Sequence, residues 1–488
     1  MTKKQQGNIV AIIMMILLFG MISFVTNLAA PMGVVLKNQF GIPNSLGLLG
    51  NFMNFLAYAV MGIPSGKLLE KVGYKKTALL AILIGFIGVG IQYFSGVAAS
   101  FYVYLFGAFI AGFSMCMLNT VVNPMLNTLG GGGKKGNTLI QIGGSFNSLM
   151  GTSVPLLVGV LVGTVSKASI PDVNPVLFIA LGIFALVGIV LYLVNIPEPE
   201  STIDRTAKGE KSQYSPWSFR HFVLGAVAIF IYVGVEVGVP GTANLYMTSF
   251  TAEQANATVA EYNKQQSDAA YLAQLKDEDK ANENATGYEP KVIKENTFES
   301  AQKIVDGKTK PGLGIATGIA GGVVGFYWLL MLIGRLTGAA IGSKISSKTM
   351  LIVASALGII LVAAAIFSPI ESVIKMPAFD TSGGTLSVGM VKVPLTFLFL
   401  ALVGICTSVM WGGIFNLAVE GLGKYVAKAS GIFMMLVVGG GIIPLAQGWL
   451  ADIIGFMPSY WLMFICIVYL LYYALVGSKN VNQDIPVK

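Results

Sequence analysis

Twelve apolar stretches follow one another along this chain, and each is close to the roughly 20 residues that cross a bilayer as a helix. No water is present there, so every backbone N–H and C=O must be satisfied inside the span, and only helices or closed barrels meet that condition. The stretches fall at 9–35, 45–69, 77–95, 101–129, 136–163, 175–195, 219–249, 312–342, 349–370, 393–420, 427–454 and 458–477. Charged residues make up 11% of the chain, against roughly 25% in soluble domains. The expected fold class is an all-α polytopic membrane protein with twelve transmembrane helices.

Basic residues set the orientation. With the N-terminus inside, eighteen Lys and Arg fall in cytoplasmic segments, among them Lys67, Lys134, Lys344 and Lys428. Only Lys37, Lys167, Lys375 and Lys392 fall in the short external segments, so both termini are expected in the cytoplasm. The net charge of +8 is thus a membrane-side bias, and no nucleic-acid partner is expected. The first stretch is too long for a signal-peptide core and reads as an anchor. Cys116, Cys406 and Cys466 lie inside apolar spans without metal-ligand spacing, so neither a disulfide framework nor a metal site is expected.

A polar, charge-rich segment at 197–217 separates six spans from six. GIPSGKLLEKVGYKKTALL (62–80) aligns without gaps on GRLTGAAIGSKISSKTMLI (334–352), PLLVGVL (155–161) on PLAQGWL (444–450), and NPMLNTLG (123–130) on NLAVEGLG (416–423). Three matches in one order indicate a duplicated six-helix unit. The expected domains are an N-terminal bundle 1–196, a cytoplasmic linker 197–217 and a C-terminal bundle 218–488. Such parallel repeats describe a transporter whose halves rock about a central site. The segment 251–310, with eleven acids and eight lysines, reads as an external insertion: a small cap or loop, or else a docking surface. Its run AEYNKQQSDAAYLAQLKDED reads as helix, with Tyr271 and Leu275 one turn apart.

GKLLEKVGYKK (66–76) resembles the loop signature of the major facilitator superfamily between its second and third helices. The resemblance implies structural and gating roles for Gly66, Glu70, Lys71 and Gly73. LNTVVNPMLNTLG (118–130), FNSLMGTSVPLLVG (146–159), YVGVEVG (232–238) and GGGIIPLAQGWLAD (439–452) resemble the sugar branch that contains the fucose–proton symporter and bacterial glucose/galactose transporters. It implies two pseudo-symmetric six-helix bundles in a bacterial cytoplasmic membrane. Fucose-type members carry acids on the first and fourth helices, where this chain has the neutral Asn27 and Asn119. That proton mechanism cannot pass through those positions.

Amides suit a sugar site, since each offers two donors and an acceptor and needs no counter-ion. The candidates for substrate binding are Asn27, Asn51, Asn54, Asn119, Asn123, Gln141, Asn147, Asn416 and Gln447, with Trp411 as a stacking face. Amides can equally tie membrane helices together, and Trp328 and Trp411 could belong to an interfacial belt. Glu236 is the one acid deep in an apolar helix, which marks it for ion coupling or for pairing. A partner would be Arg335, the only Arg within a span, at a height where pairing calls for water or movement. His221 is expected at the cytoplasmic surface.

The expected function is secondary active import of a neutral monosaccharide, a hexose or 6-deoxyhexose, with a proton or sodium ion. Efflux of amphiphilic compounds and facilitative sugar uniport are the alternatives. No nucleotide loop or Ser/His arrangement points to an enzyme, and no cofactor is expected. A monomer in the lipid bilayer is expected.

Overall fold

A computed structural model describes residues 3–40, 49–98, 100–162, 173–194, 196, 198, 214–282, 290–380, 387–482 and 484–487; the linker between 199 and 213 lies outside them. Six helices fill the N-terminal portion: α1 Lys3–Phe40, α2 Leu49–Val72, α3 Tyr74–Val97, α4 Phe101–Leu129, α5 Gly133–Val162 and α6 Asn174–Leu193. Past the linker come α7 Arg220–Thr248, then α8 Ala252–Ser267, α9 Ala269–Ala281 and α10 Glu295–Val305 of the insertion. The membrane helices resume with α11 Thr317–Gly342 and α12 Ser347–Phe367, and end with α17 Phe456–Tyr472. Between them two spans are each broken in the middle: α13 Leu395–Ser408 with α14 Met410–Val419, and α15 Val426–Met435 with α16 Gly439–Ile454. The twelve expected spans are all present as helix.

The burial pattern is that of a protein whose solvent is lipid. Leu186, Phe94 and Ile360 are more than 60% exposed on the outside, while Asn123, Asn137 and Gln447 are fully buried. Among the described residues, ten spans are long and apolar enough to cross a bilayer by composition. The two helices outside that set are α2 and α5. Their hydropathy is diluted by the polar residues they turn inward, Asn54 and Ser65 on α2, Gln141 and Ser145 on α5.

Helices α1–α6 pack on one another, as do α7 and α11–α17, and two seams join the groups. One is α2 against α15. A Cβ on Gly66 would lie 2.9 Å from Gly431 Cα, so the backbones touch where a side chain would hold them apart. The other seam is α5 against α11, where Gly338 and Gly342 face Gln141 and Thr138. One aligned glycine pair, Gly66 and Gly338, therefore faces the opposite half, while Gly334, the counterpart of Gly62, packs on Ser408 of its own half. A lysine tether also occurs in each half, at positions one residue apart in the alignment. Lys75 Nζ donates to the carbonyls of Tyr192 and Val194 at the end of α6, at 2.8 and 2.7 Å. Lys348 Nζ donates to Leu475 O at the end of the last span, at 3.1 Å, the place where a cation meets unpaired helix carbonyls.

These contacts lie on one face, with Lys134 Nζ on Lys344 O at 2.9 Å and Val487 O accepting from Lys424 N. We call it the basic face. The insertion lies on the opposite face. It leaves and re-enters the bundle beside itself, Gly312 N donating to Phe250 O at 2.7 Å and Leu313 N to Tyr246 O. Inside it Tyr262 stacks on Phe298 with ring centroids 4.2 Å apart, and Asp279 accepts from Lys291 and Val292 N–H. The cap is folded. Its expected single helix is two, because Asp268 leaves helical geometry and its carboxylate accepts Tyr271 N–H at 3.0 Å, starting α9. A hairpin absent from the sequence reading, β1 Val373–Asp380 paired antiparallel with β2 Ser387–Pro394, packs Phe379 against Gly325 of α11.

Candidate functional site

A cavity of about 410 Å³ lies between the two groups of helices, within the range of small-molecule sites. The first group lines it with Ser23, Thr26 and Asn27 (α1), Asn54 and Tyr58 (α2), Asn119 (α4), and Gln141 and Asn147 (α5). The second lines it with Glu236 (α7), Trp328 and Arg335 (α11), and Ser408 and Trp411 at the break between α13 and α14.

Several amides are held with one end fixed. Asn27 Nδ2 donates to Ser23 O at 2.9 Å, and Asn147 Nδ2 to Phe19 O at 3.0 Å. Asn119 Nδ2 donates to Tyr58 Oη at 2.7 Å. An amide so anchored presents its remaining groups in one orientation, which suits directional recognition. Gln141 Nε2 donates to Val409 O at 3.0 Å. Val409 sits at the helix break, where its carbonyl also accepts Gly413 N–H at 3.2 Å, so the amide from the opposite group is a second donor to it.

Six of the ten substrate-binding candidates therefore line the cavity: Asn27, Asn54, Asn119, Gln141, Asn147 and Trp411. Asn123 stands behind them. Its Nδ2 donates to Asn119 O, and its Oδ1 accepts Trp411 Nε1–H at 2.9 Å. Asn416 is off the cavity, donating to Ser347 Oγ at 2.8 Å. Gln447 is also off it, fully buried beside Gly238. The Asn51 side chain lies outside the described residues. Trp328 is a lining residue, not part of an interfacial belt.

Glu236 and Arg335 meet directly. Arg335 Nη2 lies 3.1 Å from Glu236 Oε1, with side chains 11% and 14% exposed. The expectation that pairing requires water or movement is overturned. Helical rise sets the height of the Arg335 Cα, but its long side chain extends across the cavity wall and closes the difference. Arg335 Nη1 also donates to Gly144 O at 2.9 Å and to Ser148 Oγ at 2.7 Å, both on α5.

A profile of the Major Facilitator Superfamily matches residues 12–267, half of the sequence. The chain belongs to that superfamily. It is 28% identical to a glucose/galactose transporter of Brucella abortus (strain 9-941), over 98% of this chain and 97% of that one. It is 21% identical to the L-fucose-proton symporter of Escherichia coli (strain K12), over 83% and 78%. The crystal structure of the transporter FucP in the outward conformation superimposes with a TM-score of 0.70 at 18% identity, covering 97% of this chain and all of that one. The relatives are transporters, not enzymes, and this chain is likewise a multi-pass membrane transporter.

The superfamily's loop signature has a structural account here. Gly73 has φ 87 and ψ 176, a conformation essentially confined to glycine. Behind it, Tyr74 and Lys75 N–H donate to the Glu198 carboxylate at 2.8 and 3.0 Å, an anion at the N-terminus of α3. Glu70 reaches Lys428 across the seam at 3.8 Å, and Lys71 is exposed. His221, expected at the surface, is buried, with Nε2 2.9 Å from the Glu420 carbonyl oxygen.

Tyr58, Thr26 and Ser408 are lining residues absent from the sequence-derived set. Tyr58 had a signal, since it lies one helical turn from Asn54. A hydroxyl on an apolar helix, such as Thr26 or Ser408, carries none, because it can bond its own preceding turn.

Proposed function

We propose that this transporter imports a neutral monosaccharide, a hexose or 6-deoxyhexose, by alternating access between bundles 1–196 and 218–488 joined by the linker 197–217. The observation that carries the reading is the cavity wall. Anchored amides and the Trp411 ring surround the space, and its only ion pair, among the described residues, is internally neutralised. Hydroxyl-bearing solutes fit such a wall, whereas an organic anion would have to compete with Glu236 for the one guanidinium. The named activities of the relatives from Brucella abortus and Escherichia coli support the same class. Glu236 is the coupling group, taking a proton or a sodium ion. The basic face is the cytoplasmic one, by the excess of Lys and Arg there, in a bacterial cytoplasmic membrane. The working unit is a monomer.

Uptake of a labelled sugar panel in a transport-deficient host, with and without ionophores, tests the proposal. Saturable, ionophore-sensitive accumulation of one hexose is the expected result. Transport of hydrophobic cations without any saturable sugar uptake would overturn it. A facilitative uniporter is the second reading, favoured by the direct Glu236–Arg335 bond, which gives the acid a structural partner. Saturable uptake that ionophores leave unchanged would select it.

A further inference from the structure

The side of α7 that borders the central cavity continues beyond it. Val237 lines that cavity, and Gly241, Asn244 and Thr248 follow at steps of four, three and four residues, along one side of the helix. A Cβ on Gly241 would meet nothing within 4 Å, so this side is open. Asn244 is half-buried, and its side-chain amide has no protein partner among the described residues. Thr248 then lines a second cavity, of about 370 Å³, where the ends of α7 and α16 meet the cap. Ser249, Lys303, Thr309, Lys310 and Asp452 share its wall.

Elsewhere the cap pairs its charges, Lys291 with Glu278 and Lys308 with Asp306. Lys303, Lys310 and Asp452 form no ion pair among the described residues. Fixed charges of both signs select their ligand. An anion drawn to the lysines meets Asp452, and a cation drawn to Asp452 meets two lysines. A neutral polyol can use all three, its hydroxyls donating to the carboxylate and accepting from the ammonium groups, in bonds stronger than neutral ones. The serine and threonine hydroxyls around them donate or accept as needed.

We propose that this outer cavity is a first station for the sugar, which passes from it along the α7 side, by way of Asn244, into the central cavity. The proposal rests on the sugar reading given above. The three charged groups are exposed, so water competes for them and the station is weak enough to release its solute inward. A solute held at one end of an open path is concentrated at the other.

Alkylation of Ser300→Cys, on the wall of the outer cavity, tests the station once Cys116, Cys406 and Cys466 are replaced. D-glucose, D-galactose and L-fucose are offered in turn. The assay is repeated in Asn54→Ala/Asn119→Ala, which disables the central cavity, with Trp411→Ala serving if that variant misfolds. With either central cavity, one hexose at about ten times its half-protecting concentration should slow alkylation by about tenfold, since only the free fraction reacts. Asp452→Asn and Lys303→Gln/Lys310→Gln should each raise the half-protecting concentration by about tenfold or more, the loss of a charge-assisted bond. Protection that vanishes with the central amides comes from closure around the central cavity and overturns the station. Protection undiminished in both charge variants overturns it as well. Saturable hexose uptake without hexose protection, with or without protection by D-glucuronate, overturns the station and leaves the sugar reading standing. A protein with neither hexose protection nor saturable hexose uptake overturns that reading and the station with it.

Discussion

Trp411 Nε1 donates to Asn123 Oδ1 at 2.9 Å, so an indole on α14 is aimed by an amide on α4 of the opposite half. If Trp411 stacks on the sugar as proposed, Asn123 acts on substrate through it. Asn123→Ala should weaken sugar binding about as much as Trp411→Phe, each by about 1 kcal/mol for a lost neutral hydrogen bond. The double variant should bind about as well as either single, the signature of one shared interaction. Titration calorimetry on the purified transporter checks this, and additive losses would show that Asn123 has its own contact.

Glu236→Gln keeps the shape of the side chain and removes its charge. Under the coupling reading, accumulation driven by an imposed proton or sodium gradient should fall by at least about tenfold, while counterflow exchange of the same sugar persists. Vesicle uptake under each gradient in turn also identifies the ion.

Gly66 crosses Gly431 with backbones in contact. Gly66→Val inserts three carbons where one already meets Gly431 Cα at 2.9 Å. Overpacking of this kind costs about 1–3 kcal/mol, charged mainly to the state in which the seam is closed. Uptake should drop several-fold or more, with the seam biased open in spin-label distances across α2 and α15.

Gly73→Ala forces a Cβ into a conformation that costs of order 1–3 kcal/mol outside glycine and pushes it toward the Glu198 carboxylate, 2.7 Å away. A lower Tm, by a few degrees, is expected in detergent-solubilised protein. Glu198→Gln should give part of that loss, because it removes the anion from the start of α3.

Gly312 N and Phe250 O are 2.7 Å apart, so the ends of the insertion already adjoin. Replacing 252–310 by a short Gly-rich linker should leave the membrane fold intact and sugar uptake within about twofold, since a closed loop end adds little strain. A large loss of uptake with normal expression would place the cap in the transport cycle.

The fold was readable because a bilayer leaves so few options: apolar length suffices for helix number. Even α2 and α5, the least apolar of the membrane helices, stood out by their length. The site was readable in part. Spacing at i, i+4 correctly puts Asn119 and Asn123 on one face of α4, but it cannot say that one lines the cavity while the other aims a tryptophan. Asn416 passes the same spacing test and bonds Ser347 instead. The Glu236–Arg335 contact depends on how α7 and α11 tilt against each other and on how far a guanidinium reaches, neither of which is written in either helix alone. His221 looked superficial because it stands at the start of a membrane helix, yet the chain folds the Glu420 carbonyl over it.

The break at Val409 carries a consequence for how this protein moves. Its carbonyl oxygen takes Gly413 N–H at 3.2 Å and, from the other half, the Gln141 amide at 3.0 Å. Any motion that draws α5 away strips the second donor from an oxygen that lipid cannot solvate. The oxygen keeps its Gly413 bond and gains a free lone pair that a water molecule or a solute hydroxyl can take, so the passage is lined with a new acceptor as it widens.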